Sequence, residues 1–223
     1  QVNPKGGGCI NDAYHLTDGR RHFFAKTNAV DKQAMFAAEA VGLAALKESK
    51  TLRVPAVICM GSSDEAAFLV LEYLELSGGS KRGARRLGEQ LAALHKVSAP
   101  RFGWQQDNFI GATPQVNTWE NEWAHFYATH RLRYQLQLPA NHIAPLRQPG
   151  ERLLAHVADF FSGYRPLPAL LHGDLWGGNW GEDEVGQPVI FDPAVYFGDR
   201  EADIAMTELF GGFPPDFYAA YRD

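Results

Sequence analysis

The sequence predicts an α+β fold in two lobes: a small β-rich lobe with one helix over residues 1–76, then a larger, mostly helical lobe over 77–223. Three observations predict it. Before Leu76 the apolar residues come in short runs separated by turn residues, the pattern of strands. After Leu76 they recur at spacings of three and four, the pattern of helices. A single helical stretch, about 32–48, interrupts the first region. With 223 residues, 45% of them hydrophobic, the chain can bury a sizeable core.

Taken in order, GGGCIND is a glycine-rich loop, and YHLTDGRRHFFAKTN holds two strand-like runs about an Asp-Gly turn. After the 32–48 helix, AVICMG and AAFLVLEYL are two more strands, separated by GSSDE. The joint between the lobes falls at about Glu72 to Leu76, and such a joint makes a cleft, the default place for a ligand. In the second lobe Leu87, Leu91 and Leu94 form a helical stripe. PQVNTWENEWAHFYATHRLRYQLQL reads as one long helix, with Asn117 as N-cap and Glu120 completing a capping box. GERLLAHVADFF is a further helix, ended by Gly163 and Pro166. PALLH and PVIFD read as a small β-ribbon, and DREADIAMTELF restores helical periodicity.

Composition narrows the function. Lys and Arg number 21 against 26 Asp and Glu, a net charge of −5. The short KRGARR at 81–86 is the one basic block, so no nucleic-acid partner is expected. Cys9 and Cys59 sit in unrelated contexts, which suggests neither a disulfide framework nor a structural zinc site and fits a reducing, cytoplasmic setting. No apolar run approaches the roughly 20 residues that span a bilayer, and no signal-peptide pattern opens the chain. A soluble protein without a membrane partner is expected, with a monomer favoured.

The chemistry concentrates in LLHGDLWGGNWG. It holds His172, Asp174 and Asn179, the asparagine five residues after the aspartate, and Asp192 follows thirteen residues later in VIFDP. Phosphoryl transfer needs a carboxylate to accept the proton of the attacking hydroxyl and hard oxygen ligands for magnesium. In the protein-kinase pattern H-x-D-x-x-x-x-N, followed by the aspartate of D-F-G, those roles fall at this relative spacing. Taken alone, HGD reads equally well as a glycine-rich turn with a structural aspartate. A metal-hydrolase reading lacks a second cluster of ligands at suitable spacing.

The first lobe bears on the choice independently. Glu39 lies within the apolar stripe Phe36, Leu43 and Leu46, so it points inward. An inward carboxylate without a partner would cost on the order of several kcal/mol, so a cation must meet it, and Lys26 is the natural candidate. Read blandly, Lys26 is an edge-strand lysine and Glu39 reaches water past its neighbours. Gly6, Gly7 and Gly8 precede Lys26 by one hairpin, where a loop covering phosphates would lie; it is not a Walker A sequence, since no GK[ST] follows. Cys9 falls within that loop. The backbone of Glu72, Tyr73 and Leu74, on the strand leaving the first lobe, is placed to bind adenine. Asp203 is placed to brace the catalytic loop by accepting its N–H groups, with His172 as a second supporting residue.

LLHGDLWGGNW, PVIFDPAVYFGDREADIAMTELFGGF, TPQVNTW, LGEQLAALH and GGGCIND together resemble the fructosamine/ketosamine 3-kinase family, collinearly from Gly6 to Tyr221. The resemblance implies the two-lobed protein-kinase-like fold shared with aminoglycoside phosphotransferases. It implies ATP and Mg2+ as cofactors, Asp174 as catalytic base, Asn179 and Asp192 as magnesium ligands, and Lys26 paired with Glu39 in positioning ATP. Trp176 would face the substrate sugar, with core packing as the other reading of that ring. The expected activity is phosphorylation of the 3-hydroxyl of a ketosamine, free or on a glycated protein, with ribulosamine or erythrulosamine favoured over fructosamine, leading to deglycation. A kinase of the same fold acting on an aminoglycoside- or choline-like alcohol is the alternative, and a silent nucleotide-binding scaffold is a third possibility. Family members carry a further helical segment before the glycine-rich loop and several helices after AAYRD, and this chain is short between Leu138 and Gly150. The expectation is therefore a fragment that carries part of the acceptor wall.

Overall fold

The computed structural model describes residues 1–6, 10–138 and 143–223. Its first part is an antiparallel sheet of five strands: β1 (Val2–Lys5), β2 (Asp12–Thr17), β3 (His22–Asn28), β4 (Val57–Ser62) and β5 (Ala67–Glu72), in spatial order β1-β2-β3-β5-β4. The Asp-Gly turn joins β2 to β3 as expected, with Gly19 at φ 88° and Asp18 accepting the N–H groups of Arg20 and Arg21 at 2.9 and 2.8 Å. In register, Phe24 pairs with Leu71 and Lys26 with Leu69. The two-residue period of a strand therefore puts Phe24, Lys26, Leu69 and Leu71 on one face.

Helix α1 (Gln33–Glu48) packs against this sheet through Met35, Phe36, Leu43 and Leu46, all buried. Burying each such side chain is worth roughly 1.5–3 kcal/mol, which outweighs the absence of a side-chain N-cap on this helix. The lysine row and the glutamate of α1 thus come to share one interior.

The second part is built on α2 (Lys81–Leu94), N-capped by Ser80, whose side chain accepts the Gly83 N–H at 3.1 Å. Leu87, Leu91 and Leu94 are fully buried, as the stripe predicts. Further along lie the hairpin strands β6 (Asn108–Ile110) and β7 (Thr113–Gln115), α3 (Trp123–Phe126), a π-helical stretch Tyr127–Arg133, α4 (Tyr134–Gln137) and α5 (Arg147–Phe160). Two short ribbons and two helices complete the fold: β8 (Ala169–Leu171), β9 (Trp180–Glu182), β10 (Pro188–Ile190), β11 (Tyr196–Gly198), α6 (Glu201–Leu209) and α7 (Pro215–Arg222). α7 lies along α2, and Gly88 permits the approach: a Cβ there would come within 2.3 Å of the Phe217 carbonyl oxygen.

Two expectations fail. The long helix does not begin at Asn117: β7 ends at Gln115, Glu120 pairs with Phe102 through the main chain, and helix starts at Trp123. Asn117 is buried and spends its amide on Arg131, Asn108 and Gln106 rather than on a cap. Nor do PALLH and PVIFD pair with each other. β8 pairs with β11 and β10 with β9, so the β9–β10 hairpin lies in sequence between the two strands of the other ribbon.

Candidate active site

The cleft between the sheet and the helical part encloses about 530 Å³ and is lined by Phe24, Lys26, Leu71, Leu74, Asp174 and Asp192 among others. Its floor is two loops stitched together. Ala194 N–H donates to the His172 carbonyl at 2.8 Å and Phe191 N–H to that of Asn179 at 3.1 Å. Gly173, at φ 84°, has no room for a side chain, since a Cβ would lie 2.0 Å from the Ala194 carbonyl oxygen. Both a left-handed backbone and a close approach require glycine there.

Asp174 and Asn179 meet on this floor. The Asn179 amide nitrogen donates to the Asp174 carbonyl at 2.8 Å and to its Oδ2 at 3.3 Å. Burial pushes the Asp174 carboxyl up to about 6; the Asn179 bond opposes the shift, and the carboxylates of Asp192 and Asp203 add to it. Buried His172 accepts the Asp174 N–H on Nδ1 at 3.2 Å, so Nε2 carries the proton that it donates to the Phe191 carbonyl at 3.0 Å. Burial lowers the His172 pKa and favours this neutral ring.

Lys26 brings the two halves together. Its ammonium donates to Glu39 Oε1 at 2.6 Å and also to Asp192 Oδ1. Burial works against the charge on Lys26, but Glu39 and Asp192 more than reverse it and its pKa is raised. Glu39 is also raised, by burial and the neighbouring Asp192, with Lys26 pulling the other way. Asp192 sits at φ 58°, a backbone region that non-glycine residues seldom adopt. Its side chain is 45% exposed, on the cleft side of the lysine.

Asp203 is buried and accepts the N–H groups of His172 and Gly173 at 2.7 and 2.8 Å. Gly6 lines the cleft, whereas Gly7, Gly8 and Cys9 fall outside the described residues. Leu74 and Glu72 also border the cleft. The Glu72 carboxylate, however, is held in a two-pronged pair by Arg53, at 2.6 and 2.9 Å. Tyr73 turns aside to stack on His15, ring centres 4.1 Å apart. Trp176 lines the cleft, is 37% exposed and meets Phe210 edge-on at 5.4 Å. It is therefore not core packing.

Several residues here carry no local sequence signal. His95, read from its helix as structural, places Nε2 3.2 Å from Asp203 Oδ2 and Nδ1 2.7 Å from the Tyr221 hydroxyl. Arg53 joins the parts: its side chain holds Glu72, and its carbonyl accepts the Ile190 N–H at 3.0 Å. Phe210 is 65% exposed, and its place beside Trp176 is set by the fold alone.

A magnesium ion fits the residues present. The Asn179 amide nitrogen is committed to Asp174, which leaves Oδ1 as its acceptor, Asn179 lines the cleft, and Asp192 already holds a cation, the Lys26 ammonium. Among the described residues no group of three or more His, Cys, Asp or Glu is placed to hold a metal. One carboxylate plus one amide suits magnesium, which fills its shell with phosphate and water oxygens.

The sequence model of the family described as fructosamine kinase matches residues 1–223. A "probable ketoamine kinase" of Synechocystis is 49% identical over 217 residues, covering 97% of this chain and 73% of that protein. The chloroplastic protein-ribulosamine 3-kinase of Arabidopsis thaliana is 41% identical over 226 residues, covering 99% and 69%. A solved structure from Haemophilus somnus, assigned as a fructosamine-3-kinase, superposes with a TM-score of 0.87 at 32% identity over 98% of this chain and 73% of that one. A spectinomycin phosphotransferase solved with ADP and spectinomycin shares the fold, with a TM-score of 0.58 at 14% identity, over 100% of this chain and 74% of that one. The fold is thus that of the aminoglycoside phosphotransferases, and the chain belongs to the fructosamine kinase family.

Proposed function

We propose that this chain transfers the γ-phosphoryl group of ATP to the 3-hydroxyl of a ketosamine, free or protein-bound. The observation that carries the proposal is the convergence of Lys26, Glu39, Asp174, Asn179 and Asp192 on one cleft. A nucleotide-binding scaffold has no use for all five. The names of the relatives supply the acceptor class, and the ADP held by a phosphotransferase of the same fold supports a nucleotide in the cleft.

In this reading the adenine lies between Phe24, Leu71 and Leu74, with the main chain of 72–74 along its edge. Lys26 leaves Asp192 and holds the α- and β-phosphates, while Glu39 keeps its ammonium aimed. Asn179 Oδ1 and Asp192 would hold a magnesium ion, which would supply positive charge to offset that of the phosphoryl group in transfer. Asp174 orients the acceptor hydroxyl and takes its proton as the oxygen bonds to phosphorus and ADP departs. Trp176 offers an aromatic face to the sugar ring. Phosphate at C3, beside the C2 carbonyl, is a good leaving group, so the adduct then releases its amine; the cellular outcome is deglycation. Cytoplasmic action goes with this reading, which the reducing character suggested by cysteine usage supports.

The experiment is a coupled ATPase assay with ribulosamine, fructosamine, an aminoglycoside and choline side by side. ADP release confined to the ketosamines supports the proposal, and release with an aminoglycoside alone contradicts it.

A further inference from the structure

Beside the metal segment lies a set of buried amides that the proposed chemistry does not use. Asn108 and Gln115 face each other across the β6–β7 hairpin, and with Asn117 they are almost completely buried. Three buried amides are costly unless bonded, and these are bonded in one direction. Arg131 donates to Asn117 Oδ1 at 2.8 Å, and Asn117 Nδ2 donates to Asn108 Oδ1 at 2.9 Å. Gln115 Nε2 donates to the same oxygen at 2.9 Å. The chain ends on main-chain carbonyls: Asn108 Nδ2 donates to Val195 O at 2.8 Å and Gln115 Nε2 to Ala194 O at 3.1 Å.

Those carbonyls lie two and three residues after Asp192. Ala194 N–H is already tied to His172, so both main-chain polar groups of Ala194 are held. From the opposite side α1 closes in: a Cβ on Gly42 would lie 3.3 Å from Pro193 and 3.4 Å from Val195. The hairpin itself packs on α1. The segment 193–195 is thus clamped between the helix that bears Glu39 and the amides of the hairpin. Asp192, in its uncommon left-handed conformation, is where the clamped segment begins. A backbone held in a sparsely populated region persists only when its surroundings over-determine it.

We infer that Asn108 and Gln115 are positioning residues for Asp192: by fixing the carbonyls of Val195 and Ala194 they hold the backbone that turns the Asp192 carboxylate into the cleft. Arg131 and Asn117 orient the two amides. The backbone claim stands on the geometry alone; its link to magnesium rests on the proposed kinase reading.

The test compares the whole chain with Gln115→Met, Asn108→Asp and a control, Gly88→Ala, which strains the α2–α7 contact away from the cleft. In the ligand-free protein, amide hydrogen exchange at residues 192 and 194–196 should speed up by about tenfold in the first two variants, each of which loses one buried hydrogen bond to that segment, and not in the control. In calorimetric titrations the magnesium concentration that half-saturates ATP binding should rise by about the same factor, with magnesium-free ATP binding unchanged. Exchange and magnesium midpoint at wild-type values overturn the inference, as do equal changes in Gly88→Ala, which would mark a merely structural role. If the wild type binds ATP without any magnesium dependence, the kinase reading fails instead, and the exchange result alone decides the positioning role.

Discussion

Asp203 accepts the His172 N–H at 2.7 Å, and with the Gly173 N–H on its other oxygen it fixes the start of the loop that bears Asp174 and Asn179. Burial alone would raise its pKa, but the hydrogen bond and charge of His95, with His172 and the Gly173 N–H, hold it below the ordinary aspartate value. A carboxylate with a depressed folded-state pKa contributes stability above its unfolded value of about 3.9 and loses it as pH falls through the lower folded value. Asp203→Asn should therefore cost about 1–3 kcal/mol at pH 7, because an amide replaces an acceptor of three donors. Urea melts at pH 7 should show this gap, and melts below pH 4 should show it narrowing.

The ammonium of Lys26 serves two carboxylates, and that predicts non-additivity. Glu39→Gln and Asp192→Asn each leave one partner in place, so each should cost less than the roughly 3–5 kcal/mol typical of breaking a buried pair. The double variant strands the cation and should cost more than the two single losses combined. Thermal melts of the three proteins measure this directly. Glu39→Gln should also raise the KM for ATP, since Lys26 is then free to stay on Asp192.

Asp174 must be deprotonated to accept a proton, and its carboxyl is pushed up to about 6. Turnover should fall about tenfold for each pH unit below that value, and it should level off above pH 7. Asp174→Asn should lower kcat by a factor on the order of 10²–10⁴ while ATP binding, followed by calorimetry, is retained. Unchanged turnover would remove Asp174 from the role of base.

Trp176, which lines the cleft, meets Phe210 edge to face. Trp176→Ala should raise the KM for the ketosamine by about tenfold, the worth of one aromatic contact, and leave the KM for ATP alone. A matched rise in both constants would place the ring with the nucleotide rather than with the sugar.

Much of this fold was legible because its signals are local. The Asp-Gly turn, the helix through Phe36, Leu43 and Leu46, and the stripe Leu87, Leu91 and Leu94 each follow from a period and a turn residue. Glu39 could be placed for the same reason: a charge inside an apolar stripe demands a partner. What stayed hidden depends on distance along the chain. Asn117 and Glu120 look like a capping box, yet their partners are Arg131, fourteen residues on, and the main chain of Phe102. His95 finds Asp203 across 108 residues and Tyr221 across 126. Side-chain direction was equally unreadable for Tyr73, whose backbone the sequence offers to adenine and whose ring stacks on His15.

The proposed reaction is a single transfer, from ATP to the 3-hydroxyl of a ketosamine, with Asp174 as base. Phosphorus NMR of a ribulosamine incubated with the protein, ATP and magnesium tests it most directly, with Asp174→Asn run in parallel. One new phosphate ester, coupled to the proton on C3, should form in step with ADP and be nearly lost in the variant. ATP consumption without that ester, an ester at another carbon, or equal yield from Asp174→Asn would contradict it.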